Sequence, residues 1–153
     1  MVALVVRPLH GRLEVRKLRC PRWGEPTNRE WFREATGLDI RPTWNEGPTE
    51  RPWDGYWTIA RQHFSPITEA IAIRDGEVLV KMHYSTTEQC DDRCRNARGD
   101  DCTCSCEGKH HGEGVYGDWL QVGETTLVRS DRKVVTRRLT REDAQRQIAQ
   151  RNL

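Results

Sequence analysis

The chain predicts an α+β fold: a small mixed or antiparallel sheet, two or three short helices and an inserted cysteine knuckle. Three observations carry that expectation. EVLVKMHY, residues 77–84, alternates with the period of a half-buried strand. NREWFREATG and REDAQRQIAQRNL carry helix start and stop signals. Five of the six cysteines fall between Cys90 and Cys106, with His110 and His111 just beyond.

The elements follow in chain order. ALVV, residues 3–6, and RLEVRKLR, residues 12–19, suit two strands joined by a turn at His10 and Gly11. In the second, Leu13, Val15 and Lys17 share one face, and Arg12, Glu14 and Arg16 the other. Thr27 or Asn28 caps a helix that Gly37 ends, with Trp31, Phe32 and Ala35 as its buried stripe. Strand-like stretches around Trp44 and over Tyr56 to Ala60 flank a Gly/Pro-rich turn, which is a hairpin pattern. A second helix covers residues 66–73, with Pro66 at its first position and a turn at Asp75 and Gly76. Val78, Val80 and Met82 line one side of the strand that follows; Leu79, Lys81 and His83 line the other. Beyond the cysteines, WLQVG, TTLVRS and KVVTRRL read as a meander of short strands. Thr140 with Asp143 caps a final helix, whose apolar side is Ala144, Ile148 and Ala149.

The 153 residues fit one domain, 1–153, made of an α+β half (1–89), the knuckle (90–112), the meander (113–139) and the C-terminal helix (140–153). Apolar residues are 35% of the chain and charged residues 31%. That is a lean core, helped by six tryptophans. No apolar run approaches the roughly 20 residues of a membrane helix, and the first residues lack a signal-peptide pattern, so a cytoplasmic location and no membrane partner are expected.

A net charge of +2 names no partner, but the cations are unequal: four lysines, with arginine supplying the rest of the 25. The planar fork of arginine suits phosphate and stacks on rings. A GC-rich gene is the plain alternative.

In a reducing compartment, dense cysteines point to a metal before disulfides. The spacing C-x3-C-x7-C-x-C-x-C-x4-H makes Cys90, Cys94, Cys102, Cys104, Cys106 and His111 the candidate ligands, with His110 as an alternative imidazole. Thiolates with imidazole select zinc, with an iron–sulfur centre as the rival. The insert is thus expected to be a zinc knuckle. Four ligands complete a tetrahedral zinc, so one or two of these residues are spectators, or two ions share sulfurs. No H-E-x-x-H helix accompanies the cluster, which favours a structural ion that supplies folding energy. Asp91, Asp92, Asp100 and Asp101 read as solvated loop residues, and Cys20 as a half-buried small hydrophobe.

Two resemblances add to this. Cys90, Cys94, Asp101, Cys102, Cys104, Cys106, Gly108, His111 and Gly112 resemble a DCxCxC-G-HG knuckle of small uncharacterised actinobacterial and phage proteins, which implies that origin and no settled activity. The first half is similar to the HARP domain of annealing helicases. There, a helix (Asn28 to Gly37 here) precedes a central stretch (Arg41-Pro42-Thr43-Trp44-Asn45), a strand (Trp57 to Arg61) and a second helix (Pro66 to Ile73). The GPTERPWDG insert and Ala60, where proline is usual, depart from that pattern. The resemblance implies contact with branched or single-stranded DNA.

The residues that would make that contact are Arg41, Trp44, Arg51, Trp57 and Arg61. Rings stack bases and guanidinium groups hold phosphates in single-strand binders. Equally, two tryptophans on adjoining strands form a core pair. Exposure decides between them, and Trp53 in its Pro-rich turn is expected outside. A small non-catalytic DNA-binding protein is the leading expectation. A protein-interaction module, such as a phage factor on a host enzyme with an apolar patch around Trp53 and Trp119, is the second. An enzyme built on the metal, or on an ADP-ribosyltransferase-like set of Arg61, Ser85 and Glu113, is the third. The intervals of that set are short and no E-x-E follows.

Overall fold

The structure, a computed structural model, describes residues 2–18, 28–51, 54–86, 120–123, 125–129 and 132–151. All six cysteines, His110, His111, Glu113, Trp53 and Trp119 lie outside the described residues, as does the expected zinc knuckle.

The fold is α+β, as the alternating and capped segments predict. Its strands are β1 (Leu4–Arg7), β2 (Leu13–Arg16), β3 (Thr43–Asn45), β4 (Tyr56–Ile59), β5 (Glu77–Ser85), β6 (Leu120–Gln121), β7 (Thr126–Arg129) and β8 (Arg132–Thr140). They form one mixed sheet in the order β3-β4-β2-β1-β5-β8-β6, with β7 also on β8. Only β1 and β5 run parallel among the described pairs; the rest are antiparallel. Among the described residues three α-helices, α1 (Asn28–Thr36), α2 (Phe64–Asp75) and α3 (Arg141–Arg151), accompany it. Among the described residues no helix is long and apolar enough to cross a membrane.

Alternation builds the core. Val5, Leu13, Val15, Ile59, Val78, Val80, Met82, Val135 and Leu139 are buried on one face of the sheet, beside Phe32 of α1, Phe64, Ile67 and Ile71 of α2 and Ala144 of α3. Each such side chain contributes about 1.5–3 kcal/mol on leaving water. Helix α2 is central: it meets α1, α3, β5 and β8. Being covered on several sides, it buries polar Thr68 and Glu69 too. The Thr68 hydroxyl donates to the Phe64 carbonyl at 2.9 Å, and Arg151 of α3 donates to both Glu69 carboxylate oxygens at 2.6 and 2.7 Å. Burial pushes the Glu69 carboxyl up from its usual value, and the Arg151 contact opposes this only in part.

Helix ends follow the chemistry of their caps. The Gly37 N–H donates to the Arg33 carbonyl at 2.9 Å, and the Gly76 N–H to that of Ala72 at 2.8 Å, with φ of 69° and 97° that glycine adopts freely. The Asp143 N–H donates to the Thr140 hydroxyl at 3.2 Å, and the Thr140 N–H to the Asp143 carboxylate at 3.4 Å, a reciprocal capping box.

Five local expectations are corrected. Ala35 is exposed, because α1 docks through Phe32 with Trp31 partly buried beside it. Ala149 of α3 is exposed as well, since Ala144 makes the buried contact. Lys17 is not on the inner face of β2: the strand ends at Arg16, and Lys17 has φ 57°. Helix α2 starts at Phe64, two residues before Pro66. Proline fits there because N–H groups of a first turn have no intrahelical acceptor. The meander is also different. Strands β6 and β7 both pair with β8, at Arg137–Arg138 and along Arg132–Val134, so they lie end to end along one long strand.

Candidate nucleic-acid interface

The edge of the sheet at β3 and β4 is approached through an irregular segment. Residues 40–42 join α1 to β3 without helix or ladder bonds, so their carbonyls need other donors. Three arginines supply them. Arg33 donates to the Ile40 carbonyl at 2.9 Å, Arg12 to that of Arg41 at 3.1 Å, and Arg29 to that of Pro42 at 3.0 Å. Arg12 also reaches the Thr58 carbonyl at 3.1 Å. Part of the arginine excess thus serves as backbone clamps, a use that composition alone does not separate from phosphate binding.

That clamp presents the two tryptophans in different ways. Trp44 and Trp57 are direct cross-strand partners with ring centroids 5.1 Å apart. Trp57 is packed against the core, edge-on to Phe32 at 6.0 Å, and the Arg29 guanidinium lies 5.4 Å from its centroid. Trp44, on the outermost strand, stays 45% exposed. Its indole lies over Gly55, where a Cβ would collide with the ring. One face of Trp44 joins a concavity of about 500 Å³ lined by Glu46, Gly47, Pro48 and Thr49. Of the two readings of this pair, core and stacking platform, Trp57 fits the first and Trp44 the second.

The three expected arginines also divide. The Arg41 side chain is 83% exposed and pairs loosely with Asp39 at 3.4 Å. The Arg51 side chain is 62% exposed and stands 3.6 Å from Asp54. Surface pairs of this kind hold weakly, so either guanidinium can exchange its carboxylate for a phosphate. Arg61 is different. It is half-buried, and its Nη1 donates to the Pro8 carbonyl at 2.7 Å and to Gly11 at 3.3 Å. It clamps the β1–β2 turn and does not stand out as a cation at this edge.

The second feature is the sheet face opposite the helices. Leu4, Val6, Glu14, Arg16, Tyr56, Thr58, Leu79, Lys81, His83, Arg132, Val134, Thr136 and Arg138 alternate with the core residues and retain access to solvent. Arg16 binds Glu14 at 2.7 Å and stacks 4.0 Å from the Tyr56 centroid. Arg138 approaches Glu77 at 3.9 Å. Lys81 and Arg132 have no carboxylate partner among the described residues. Between them lies His83, half-buried, with no hydrogen-bond partner for Nδ1; Nε of Arg132 is likewise inaccessible and unbonded. Burial first, and then the Arg132 charge, lower the pKa of His83 below its usual 6.5, while Glu14 opposes. The 77–84 pattern puts Lys81 and His83 on one face. Arg132 joins them only through the long-range pairing of Ser85 with Arg132, so no local signal marked it.

A third group of cations is structural. Arg7 is fully buried and Arg137 nearly so, both on the helix face. The Arg7 guanidinium lies 4.9 Å from the Tyr84 centroid and 6.0 Å from that of Phe64. Arg137 Nη1 donates to the Tyr84 hydroxyl at 2.6 Å and approaches Met82 Sδ at 2.8 Å. Buried guanidinium groups on rings in this way hold a core together. Neither residue stood out in the sequence, where arginine reads as surface.

The expected ligand set of Cys90, Cys94, Cys102, Cys104, Cys106 and His111 falls outside the described residues, as does Glu113 of the Arg61, Ser85 and Glu113 set. Among the described residues no three His, Cys, Asp or Glu side chains converge on a metal-sized site. Comparison of the chain with family models, curated proteins and solved structures yields no match, so the side-chain geometry itself must carry any functional reading.

Proposed function

We propose that this is a small, non-catalytic nucleic-acid-binding protein that engages single-stranded DNA at the β3–β4 edge. The observation that carries the reading is the exposed Trp44 indole, lying over Gly55, with the exposed guanidinium groups of Arg41 and Arg51 on the segments that lead into and out of β3. A base stacks on the ring, and the two cations meet the phosphates on either side. Trp57 supports Trp44 from beneath. The order α1, β3, β4, α2 is also the order on which the HARP resemblance rests. The zinc proposal stands beside it: five thiols and an imidazole suit one structural zinc, which would supply folding energy and take no part in binding.

Binding of single- and double-stranded DNA across about 50 to 300 mM salt tests the reading, because neutralised phosphates make affinity fall steeply with salt. Trp44→Ala is expected to weaken single-strand binding by about 1–3 kcal/mol. Salt-independent affinity, or an unaffected Trp44→Ala, contradicts it. Metal analysis of the isolated protein is expected to return zinc; metal-free protein with its cysteines paired as disulfides would end the zinc proposal.

A second reading has its own observation. Leu127 and Val128 of β7 are 66% and 51% exposed, with Val122 exposed nearby, along the edge beyond β8. Such an apolar edge suits a protein partner. Salt-tolerant binding of a partner, lost on Leu127→Glu, would favour that module over the DNA reading.

A further inference from the structure

Among the described residues, the face of the sheet away from the helices carries more cations than carboxylates. Arg16, Lys81, Arg132 and Arg138 stand there with Glu14 and Glu77. The two carboxylates are taken by Arg16 and Arg138. What remains is Lys81, with His83 and Arg132 beside it on the two central strands β5 and β8. In an antiparallel pair, His83 and Arg132 are diagonal neighbours, within reach of one ligand. Two of their nitrogens, His83 Nδ1 and Arg132 Nε, are withdrawn from water without a hydrogen-bond partner. Neither atom is open to a ligand from solution in this arrangement, so an oxyanion meets the exposed Lys81 and the accessible parts of His83 and Arg132.

We propose that Lys81, His83 and Arg132 form a phosphate-contact site on the open face of the sheet, reached by a nucleic-acid strand that rounds the β3 edge from Trp44, whose ring lies on the helix face with Trp57. This rests on the nucleic-acid reading above and extends it from the edge to the centre of the sheet. Charge complementarity selects the occupant: a cationic, solvent-accessible sheet face with no helix over it among the described residues suits a flexible polyanion. Thr43, Asn45, Tyr56 and Thr58 line the way between the β3 edge and the centre. Strand β5 is the fourth strand from β3 in the sheet order, so the path spans roughly 20 Å at about 4.8 Å per strand. That length falls within the span of several nucleotides that sheet-based single-strand binders occupy.

The phosphate site also couples binding to protons. His83 shares its face with Lys81 on its own strand, Arg132 on β8 and Glu14 on β2, and also feels the charge of Arg7 on the helix face of β1, so its described surroundings are cationic on balance. A phosphate placed against it favours the imidazolium. Affinity therefore rises as pH falls toward the lowered pKa of His83.

The test is fluorescence anisotropy with single-stranded oligothymidylates of about 4 and about 12 nucleotides, lengths that bracket the site sizes of such binders. The proteins are the wild type, Lys81→Ala/Arg132→Ala, His83→Gln and Trp44→Ala. Loss of two phosphate contacts is expected to reduce the salt slope of the double variant by about 2, with roughly a tenfold loss for the longer oligonucleotide. The shorter one, unable to span edge and face, is expected to lose little. His83→Gln is expected to bind at neutral pH and to lose the gain on acidification. An unchanged salt slope in the double variant together with an unchanged pH profile in His83→Gln overturns the proposal. If Trp44→Ala still weakens binding in that case, the edge reading survives alone. If wild-type protein binds neither oligonucleotide, the edge reading fails first. Inorganic phosphate displacing the oligonucleotide as effectively as unlabelled strand would assign the site to free phosphate and likewise overturn it. Urea unfolding of each variant separates lost contacts from lost structure.

Discussion

The two faces of the central sheet carry the same residue type to opposite ends. On the helix face, Arg7 and Arg137 are enclosed by Tyr84, Phe64 and Met82 and have become part of the core. On the other face, on β5 and β8, Lys81 and Arg132 stand without an ionic partner among the described residues. Buried cations are held by rings and hydrogen bonds that cannot be exchanged for a ligand. Cations on the open face have nothing comparable to give up. On this sheet the face on which a cation sits decides whether it is enclosed by rings, as Arg7 and Arg137 are, or left toward solvent, as Lys81 is.

The largest expected effect that sharpens this contrast comes from adjacent positions on β5. Met82→Ala opens a cavity beside Arg137 and Tyr84 and is expected to lower unfolding stability by about 2–5 kcal/mol. Lys81→Ala, on the neighbouring residue, is expected to stay within about 0.5 kcal/mol of wild type. Denaturant unfolding checks both, and equal losses would break the distinction between the faces. A smaller effect is expected from Tyr84→Phe. It keeps the ring that the two guanidinium groups approach and removes the hydroxyl that accepts from Arg137 at 2.6 Å. Loss of one buried acceptor is expected to cost about 1–3 kcal/mol. A neutral Tyr84→Phe would place the value of this cluster in ring contact alone.

The smallest effect is a matter of pH. His83 has a folded pKa below its ordinary value of 6.5, so the unfolded chain binds more protons between the two values. The contribution of His83 to stability is complete above 6.5 and is lost as pH falls through the folded pKa. His83→Gln is expected to flatten stability over that range in thermal melts. A profile identical to wild type would mean that His83 is as well solvated folded as unfolded.

Much of the fold could be read from the chain. The alternation over 77–84, the Thr140–Asp143 box, the glycine stops at 37 and 76 and the hairpin joining Trp44 to Trp57 are local signals, and local chemistry decides them. Residues whose roles depend on distant partners could not be read this way. Arg61 looks like any arginine near an aromatic strand until the carbonyls of Pro8 and Gly11 close around it. Arg7 sits at an inward position of β1, yet its charge argues for the surface; the rings of Phe64 and Tyr84 reverse that. Arg132 meets His83 only because β8 pairs with β5 over its full length. The β3–β4 site was partly legible: Arg41, Trp44 and Arg51 are presented outward. Trp57 and Arg61 turn inward through packing that no residue spacing announces.

Ultraviolet crosslinking of the intact protein to a single-stranded oligothymidylate, followed by peptide mapping, tests the central claim most directly. Adducts are expected at Trp44 and on the peptide that carries residues 77–85. Adducts confined to other peptides, or no crosslinked protein at low salt, would contradict the account.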